Sequence, residues 1–370
     1  MLMLGGLLLH GSLGQRREPL FDVIALASGS FRMGSFFAIS GFLCGVSLLK
    51  RPPGEWFARR MVQIGLPMLF GLGVICPLIG ALVDRWPGQA AGSAVPFSWY
   101  HLWFLVALLI YSPVALLVDR VDARSAVFAR IGHRGGSLLL PILVLAGVSF
   151  ASMTLASLLV GALTPARYWP MLSECRMIAG YLPLYLFGFA VARSTALRDR
   201  VCAAWWSPLL VIAVTVLVYA GWFGWLSPHL APANRIWADE AVRLVGAALC
   251  PPAAFVLIFR SAASVRRTPP LLARLCDASL TMYLVHQPLM VAINLLFARV
   301  DWNPYLEFAT TVTAGGVLSY LIHVAVVRPV PVLMLLVNGR EPAASRGSGR
   351  SVDEARHHLA VRPADLHLSA

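Results

Sequence analysis

The feature that most constrains this chain is a series of nine long apolar runs, each 16 to 26 residues in length. About 20 apolar residues in a helix cross the hydrocarbon core of a bilayer, so each run has roughly the length of a membrane span. With 58% hydrophobic and 13% charged residues, the chain has too little polar surface to cover a soluble globule of its size. The pattern therefore predicts an all-α, polytopic membrane helix bundle. The runs cover residues 31–49, 61–83, 100–118, 138–163, 177–192, 209–226, 241–259, 278–297 and 306–327.

The placement of the cations predicts the topology. Four alternate loops hold fifteen Lys and Arg residues, whereas the five loops between them hold seven. Cationic loops stay on the cytoplasmic side of a membrane, so the pattern predicts about ten spans, with both termini in the cytoplasm. The net charge of +13 then reflects topology, and no nucleic-acid partner is expected. The fifteen cations are Lys50, Arg51, Arg59, Arg60, Arg120, Arg124, Arg130, Arg134, Arg193, Arg198, Arg200, Arg260, Arg266, Arg267 and Arg274.

Ten spans require one more helix ahead of the first run, and residues 1–13 (MLMLGGLLLHGSL) are the candidate. This stub is about 20 Å long as a helix, against a hydrocarbon core of about 30 Å. No cationic segment precedes it and no small-residue cleavage site is evident, which argues against a signal peptide. We expect a first transmembrane helix that is truncated in the chain as given, a membrane domain over 1–337 and a disordered cytoplasmic tail over 338–370.

Ionisable side chains within the membrane segments mark the candidate site, because such groups are costly in lipid and usually functional. Of the seventeen acidic residues, only Glu307 falls within a run, at its very edge, which counts against a proton-coupled carrier. The topology predicts that His10, Arg32 and His101 lie at similar depth in the outer half of the bilayer, with His286 near its middle. The six cysteines show no metal-binding spacing, and no metal is expected. The ionisable residues in the stub and the runs are His10, Arg32, His101, Arg243, His286 and His323.

Most of these side chains also have a structural interpretation. Arg32, near the start of its run, has the length to reach lipid phosphates. His101 lies among aromatic residues, as in an interfacial belt, and His286 has backbone carbonyls of neighbouring helices as partners. We interpret His323 as structural. His10 is the hardest to explain in this way, because it lies beside leucines without a local polar partner and should face a polar cavity.

Four sequence blocks resemble those of the acyltransferase 3 family of integral membrane O-acyltransferases. They are FRMGSFFAISGFLCG (31–45), VQIGLPMLFG (62–71), SWYHLWFLVALLIY (98–111) and CDASLTMYLVHQPLM (276–290). They occur in the family's order, and the resemblance extends over nearly the whole chain to about residue 335. Within the family, the chain is most similar to a branch associated with the succinylation of periplasmic glucans.

The resemblance implies roles for the polar residues. The family's first helix carries an arginine and, after ten further residues, a histidine. His10 in LMLGGLLLHGSL matches this histidine, while the arginine would fall about two residues before Met1 and is absent. The implied catalytic residues are His10, as general base for an acceptor hydroxyl, and Arg32, which stabilises the oxyanion or a carboxylate on the acyl group. The implied substrate-binding residues are Trp99, His101, Trp103, Tyr283 and His286.

The expected reaction transfers a succinyl or acetyl group to a glycan hydroxyl. The resemblance implies acyl-CoA as co-substrate, with no other cofactor, and membrane lipid as the surrounding partner. The alternative is a carrier or flippase for a lipid-linked sugar, which would share the ten spans and an outer aromatic cavity. The lack of carboxylates in the interior of the runs and of internal repeats favours the transferase. A purely structural membrane protein would not need ionisable groups that converge at one depth.

Overall fold

Helices make up the regular structure of the computed structural model, which describes residues 5–13, 18–86, 99–133, 136–165, 168–172, 174–265, 267–298, 300 and 302–340. Several helices contain one or two turns of π or 3₁₀ type and are treated as continuous. The helices are Gly5–Leu13 (α1), Pro19–Leu48 (α2), Pro53–Val83 (α3), Tyr100–Ser125 (α4), Val127–His133 (α5), Leu139–Leu163 (α6), Trp169–Leu172 (α7), Glu174–Arg193 (α8), Thr195–Ala203 (α9), Trp206–His229 (α10), Pro232–Ala263 (α11), Pro270–Phe297 (α12), Pro304–Val327 (α13) and Pro331–Asn338 (α14).

Within these ranges, nine helices are long and apolar enough to cross a bilayer, which confirms the predicted all-α membrane bundle. They are α2, α3, α4, α6, α8, α10, α11, α12 and α13. Most extend beyond the apolar runs of the sequence, and proline explains where five of them begin. A proline in the first helical turn costs no hydrogen bond, because the N–H it lacks would have no helical acceptor there. These prolines are Pro19, Pro53, Pro232, Pro270 and Pro304. The placement of both termini in the cytoplasm stays a prediction.

Helix α2 packs mainly against α8 and α11. Glycine makes the crossing of α2 and α8 very close. A Cβ atom on Gly41 would lie 1.9 Å from the Tyr185 carbonyl oxygen, and one on Gly188 would lie 1.8 Å from that of Ala38. The two backbones therefore touch, as small residues allow in membranes, where apolar burial does not drive helices together. This crossing holds α2, which carries Arg32, firmly against the bundle.

The short helix α1 packs against α2, α12 and α13. Gly11 allows the approach to α13, since a Cβ atom there would lie 2.6 Å from Cγ2 of Val312. Three spanning helices thus surround the nine described residues of the predicted stub. Residues 1–4 of the stub and 341–370 of the predicted tail lie outside the described ranges.

We use the term basic end for the end of the bundle at which α2, α8 and α11 finish and α12 begins, because the cation-rich loops connect there. At this end, buried Asn338 donates from Nδ2 to the Asp277 carbonyl oxygen at 3.1 Å, and Arg340 pairs with the Asp277 carboxylate. His323 is also buried, with Nδ1 2.9 Å from the Thr281 hydroxyl and Nε2 3.5 Å from Asp277. These contacts join α12, α13 and α14, in keeping with a structural role for His323.

Candidate active site

Three imidazole rings from three different helices meet inside the bundle. His10 lies on α1, His101 in the first turn of α4, and His286 in the second half of α12. The ring centroids of His10 and His286 are 5.2 Å apart, and those of His101 and His286 are 5.3 Å apart. The His10 and His101 centroids are separated by 6.2 Å. His101 and His286 are only 4% and 2% exposed, so this meeting point is shielded from the surroundings.

The carbonyl oxygen of Tyr283 accepts hydrogen bonds from two of the three rings. Nε2 of His101 lies 2.9 Å from this oxygen, and Nδ1 of His286 lies 2.6 Å from it. A carbonyl oxygen only accepts hydrogen bonds, so each of these nitrogens donates, and in the neutral ring the other nitrogen carries a lone pair. The lone pairs are on Nδ1 of His101 and Nε2 of His286, and both atoms are buried without a hydrogen-bond partner among the described residues. Two proton acceptors are thus available at the site.

The YLVHQP sequence of α12 places a proline close to this arrangement. Pro288 has no N–H, so the carbonyl of Leu284, four residues earlier, lacks its usual helical donor. While the His101 ring donates to the Tyr283 carbonyl oxygen, the Tyr283 hydroxyl donates to the His101 carbonyl oxygen at 2.8 Å. Helices α4 and α12 are therefore linked by two hydrogen bonds, one donated from each helix, where their histidines meet.

Arg32 lies in the middle of α2, whereas the apolar run predicts that it opens the helix. The helix begins earlier because residues 19–30, although less apolar than the run, continue it from Pro19. Arg32 is 7% exposed and donates from Nε to the Ser28 hydroxyl at 3.0 Å, which argues against a side chain that reaches lipid phosphates. Among the described residues, no carboxylate forms an ion pair with it. Its charge is available to a substrate.

Gly6, one turn before His10, marks the point where these groups converge. A Cβ atom on Gly6 would lie 3.3 Å from Nη1 of Arg32 and 3.6 Å from Nε2 of His286. The same point is 3.9 Å from Cδ2 of His10. The preceding Gly5 lets the Arg32 side chain cross α1, since a Cβ atom there would lie 3.1 Å from its Cδ. A hydrogen-bond donor and an acceptor thus face the same small space, as a reacting carbonyl or hydroxyl group requires.

The two tryptophans predicted to bind substrate have different surroundings. The Trp103 ring stacks on Tyr181, with centroids 6.0 Å apart, and contacts Phe37 at 5.7 Å. It therefore belongs to an aromatic cluster between α2, α4 and α8. Trp99 precedes α4 and is partly exposed, so it is the better placed of the two to meet a molecule that enters from this end of the bundle.

Sequence analysis missed three features of the site: the space at Gly6, the Ser28 hydroxyl and the main-chain carbonyl of Tyr283. The glycine pair in LMLGGLLLH is a visible signal for the first, because a glycine one turn from a histidine leaves room beside the helix. A main-chain acceptor has no side chain to identify it. The only hint in the sequence is Pro288, which disturbs the hydrogen-bond ladder nearby.

Comparison with known proteins shows the family. The acyltransferase 3 family model, described as an acyltransferase domain, matches residues 2–328. The chain belongs to the acyltransferase 3 family. Its curated relatives include the glucans biosynthesis protein C of Escherichia coli O81 (strain ED1a), 21% identical, and that of Escherichia coli O139:H28 (strain E24377A / ETEC), 22% identical. Each comparison spans 353 residues and covers 87% of this chain and 85% of the relative. No solved structure matches the chain.

Membership of the acyltransferase 3 family confirms the resemblance seen in the sequence and makes the protein a multi-pass membrane acyltransferase. The matched range includes all four helices that bring His10, Arg32, His101 and His286 together. The roles of the individual side chains, the acyl donor and the acceptor stay predictions.

Proposed function

We propose that the protein is an O-acyltransferase of the bacterial inner membrane that moves an acyl group from cytoplasmic acyl-CoA to a hydroxyl of a periplasmic or surface glycan. The convergence inside the bundle of three imidazoles and one guanidinium, which has no ion-pair partner among the described residues, carries the proposal. Ionisable groups are costly in lipid, so their meeting at one point favours a reaction site over simple packing. The glycan acceptor is inferred from the relatives, whose name assigns them to glucan biosynthesis.

His10 is the proposed general base. It removes the proton from the acceptor hydroxyl while the oxygen attacks the acyl carbon, either of the thioester itself or of a transient acyl-enzyme. General-base assistance of this kind typically contributes about 100- to 10,000-fold to the rate. As the carbonyl oxygen gains negative charge, Nη1 of Arg32, which faces the space at Gly6, stabilises it. The products are an ester of the glycan and free coenzyme A.

The unpaired charge of Arg32 favours succinyl over acetyl as the acyl group. A buried cation without a counter-ion is unfavourable, and a substrate that brings a carboxylate removes this penalty. The guanidinium has five N–H donors, and its Nε is used by Ser28, so donors remain for both an oxyanion and a carboxylate. Succinyl-CoA supplies both groups, whereas acetyl-CoA supplies only the first.

The acceptor is proposed to approach His101. The lone pair on Nδ1 of His101 accepts a hydrogen bond from a sugar hydroxyl, and the partly exposed Trp99 offers an aromatic face to the sugar ring. Tyr283 orients His101 through its carbonyl and hydroxyl groups, and Trp103 supports the wall through its stack on Tyr181. Substrate binding is thereby divided between an acceptor side at His101 and a donor side at Gly6.

The test uses inverted membrane vesicles, which expose the cytoplasmic face to added acyl-CoA. Succinyl-CoA labelled in the acyl group should transfer its label to glucan with the wild-type protein, and His10→Gln should reduce transfer by about 100-fold or more. His229→Gln is the matched control, because His229 is exposed at the far end of α10 and should leave transfer unchanged. Undiminished transfer by His10→Gln would show that His10 is not the base.

The same vesicles separate the transferase from a carrier or flippase. Label in the coenzyme A portion of the donor should never appear in glycan, whereas label in the acyl portion should. Movement of a lipid-linked sugar across the vesicle membrane without covalent change would support the carrier. Mass spectrometry of glycans from a deletion strain, complemented with the wild-type protein, then identifies the acyl group by its mass.

A further inference from the structure

The lone pair on Nε2 of His286 has no role in the mechanism proposed above, although it faces the reacting space. We propose that His286 is a second catalytic histidine, which receives the acceptor's proton from His10 and delivers it to the sulfur of the departing thiol. This inference rests on the proposed function and deepens it for direct attack on the thioester, in which the acceptor loses a proton at the start and the departing sulfur gains one at the end.

The hydrogen bonds of His286 determine which of its nitrogens carries the proton. Nδ1 donates to the Tyr283 carbonyl at 2.6 Å and keeps its hydrogen as long as that bond persists. Only Nε2 is then able to gain and lose a proton. Nε2 is buried and has no hydrogen-bond partner in the described part of the chain, which is an unfavourable state for a polar atom.

The position of Nε2 places His286 between the two halves of the reaction. Its ring centroid is 5.2 Å from that of His10, and Nε2 would lie 3.6 Å from a Cβ atom on Gly6. Gly6 lies four residues before His10, about 6 Å along the helix axis. In the proposed orientation Gly6 is therefore on the cytoplasmic side of His10, where an acyl thioester arrives, and Nε2 faces that space beside Arg32.

The step balances in atoms and charge. The acceptor O–H bond breaks and its proton moves to His10, while the new C–O bond forms. His10 passes one proton to Nε2 of His286, and Tyr283 supports the resulting imidazolium through the bond from Nδ1. When the C–S bond of the thioester breaks, Nε2 gives its proton to the thiolate of coenzyme A. Both histidines return to the neutral form, and no oxidant or other reactant is needed.

His101 provides a matched control, because its ring donates to the same carbonyl oxygen as the ring of His286. Purified wild-type protein, His286→Gln and His101→Gln are compared for kcat, for the KM of succinyl-CoA and of glucan, and for thermal unfolding. His286→Gln should lower kcat by about 100-fold with KM for succinyl-CoA changed less than about threefold. His101→Gln should act mainly by raising KM for the glucan.

A purely structural role for His286 predicts a different result. Both variants replace a ring that donates to Tyr283, so equal losses of kcat, or a His286→Gln defect confined to KM, would overturn the inference. Should His286→Gln unfold, His286→Asn takes its place, because the asparagine amide reaches the position of Nδ1 and removes only the proton carrier at Nε2. A folded His286→Asn protein with the wild-type kcat would also overturn the inference. Absence of any transfer by the wild-type protein would instead overturn the proposed function, and this inference with it.

Discussion

At the scale of single residues, the absence of a side chain at Gly6 leaves room between α1, Arg32 and His286. The space beside it is bounded by Nη1 of Arg32 and Nε2 of His286, and a methyl group there would touch both. Helices generally gain stability when glycine is replaced by alanine, by up to about 1 kcal/mol. We therefore expect that glycine at this position serves to leave room for the substrate.

Gly6→Ala should therefore separate activity from stability. We expect kcat/KM for succinyl-CoA to fall by about tenfold or more, because the methyl group excludes the acyl carbonyl from the space between Arg32 and His286. Thermal stability should stay the same or rise. Gly29→Ala is the control, since a Cβ atom there meets nothing within 4 Å. A Gly6→Ala protein with full activity would show that the acyl group binds elsewhere.

At the scale of secondary-structure elements, the crossing of α2 and α8 fixes the position of Arg32. Their backbones approach so closely at Gly41 and Gly188 that neither position has room for a side chain. Membrane helices associate through van der Waals contact and small residues, so this pair is where the bundle is most sensitive to added volume. The flexible far end of a side chain is able to move, but a carbonyl oxygen within a helix is not.

Gly188→Val should destabilise the whole bundle. We expect the free energy of unfolding to drop by about 3 kcal/mol or more, because the added methyl groups collide with the Ala38 carbonyl and force the helices apart. Gly147→Val on α6 is a matched control, as a Cβ atom there meets nothing within 4 Å. Denaturant titration in detergent compares the two variants. Equal effects would mean that the α2 and α8 crossing contributes little to stability.

A comparison of the helices with the apolar runs shows which parts of the fold the sequence predicts. The nine apolar runs predict the nine spanning helices, because run length and hydropathy depend only on composition along the chain. The runs do not predict that α2 begins at Pro19, since the segment before Arg32 contains Asp22 and is less apolar. The depth argument predicts only that His10 and His101 lie at a similar level in the membrane, whereas the structure brings their ring centroids to 6.2 Å from each other. The rotation of each helix, which directs Nε2 of His286 toward Gly6, depends on tertiary packing and has no sequence signal.

At the scale of the whole molecule, the proposed reaction depends on orientation. Acyl-CoA is made in the cytoplasm and the proposed glycan lies outside, so the donor must enter from the basic end of the bundle. The distribution of cations supports this orientation, because cationic loops resist transfer across the membrane. An experiment that shows which side of the membrane the basic end faces therefore also tests the proposed direction of acyl transfer.

Reporter fusions test the orientation directly. Green fluorescent protein attached after residue 340 should fluoresce, and alkaline phosphatase at the same position should be inactive, because the first folds in the cytoplasm and the second in the periplasm. The control is the same pair of reporters inserted in the loop 84–98, where the outcome should be reversed. Phosphatase activity at position 340 would contradict the predicted topology and the proposed route of the donor.

The sharing of the Tyr283 carbonyl oxygen has a consequence for engineering this protein. Because the rings of His101 and His286 donate to the same atom, a shift of that atom reorients both at once. Redesign of the pocket for a bulkier sugar at His101 will thus also disturb the thioester half of the chemistry. Double-mutant cycles across the two histidines will be strongly non-additive. Libraries for new acceptors should leave α12 untouched and vary the partly exposed residues near Trp99 instead.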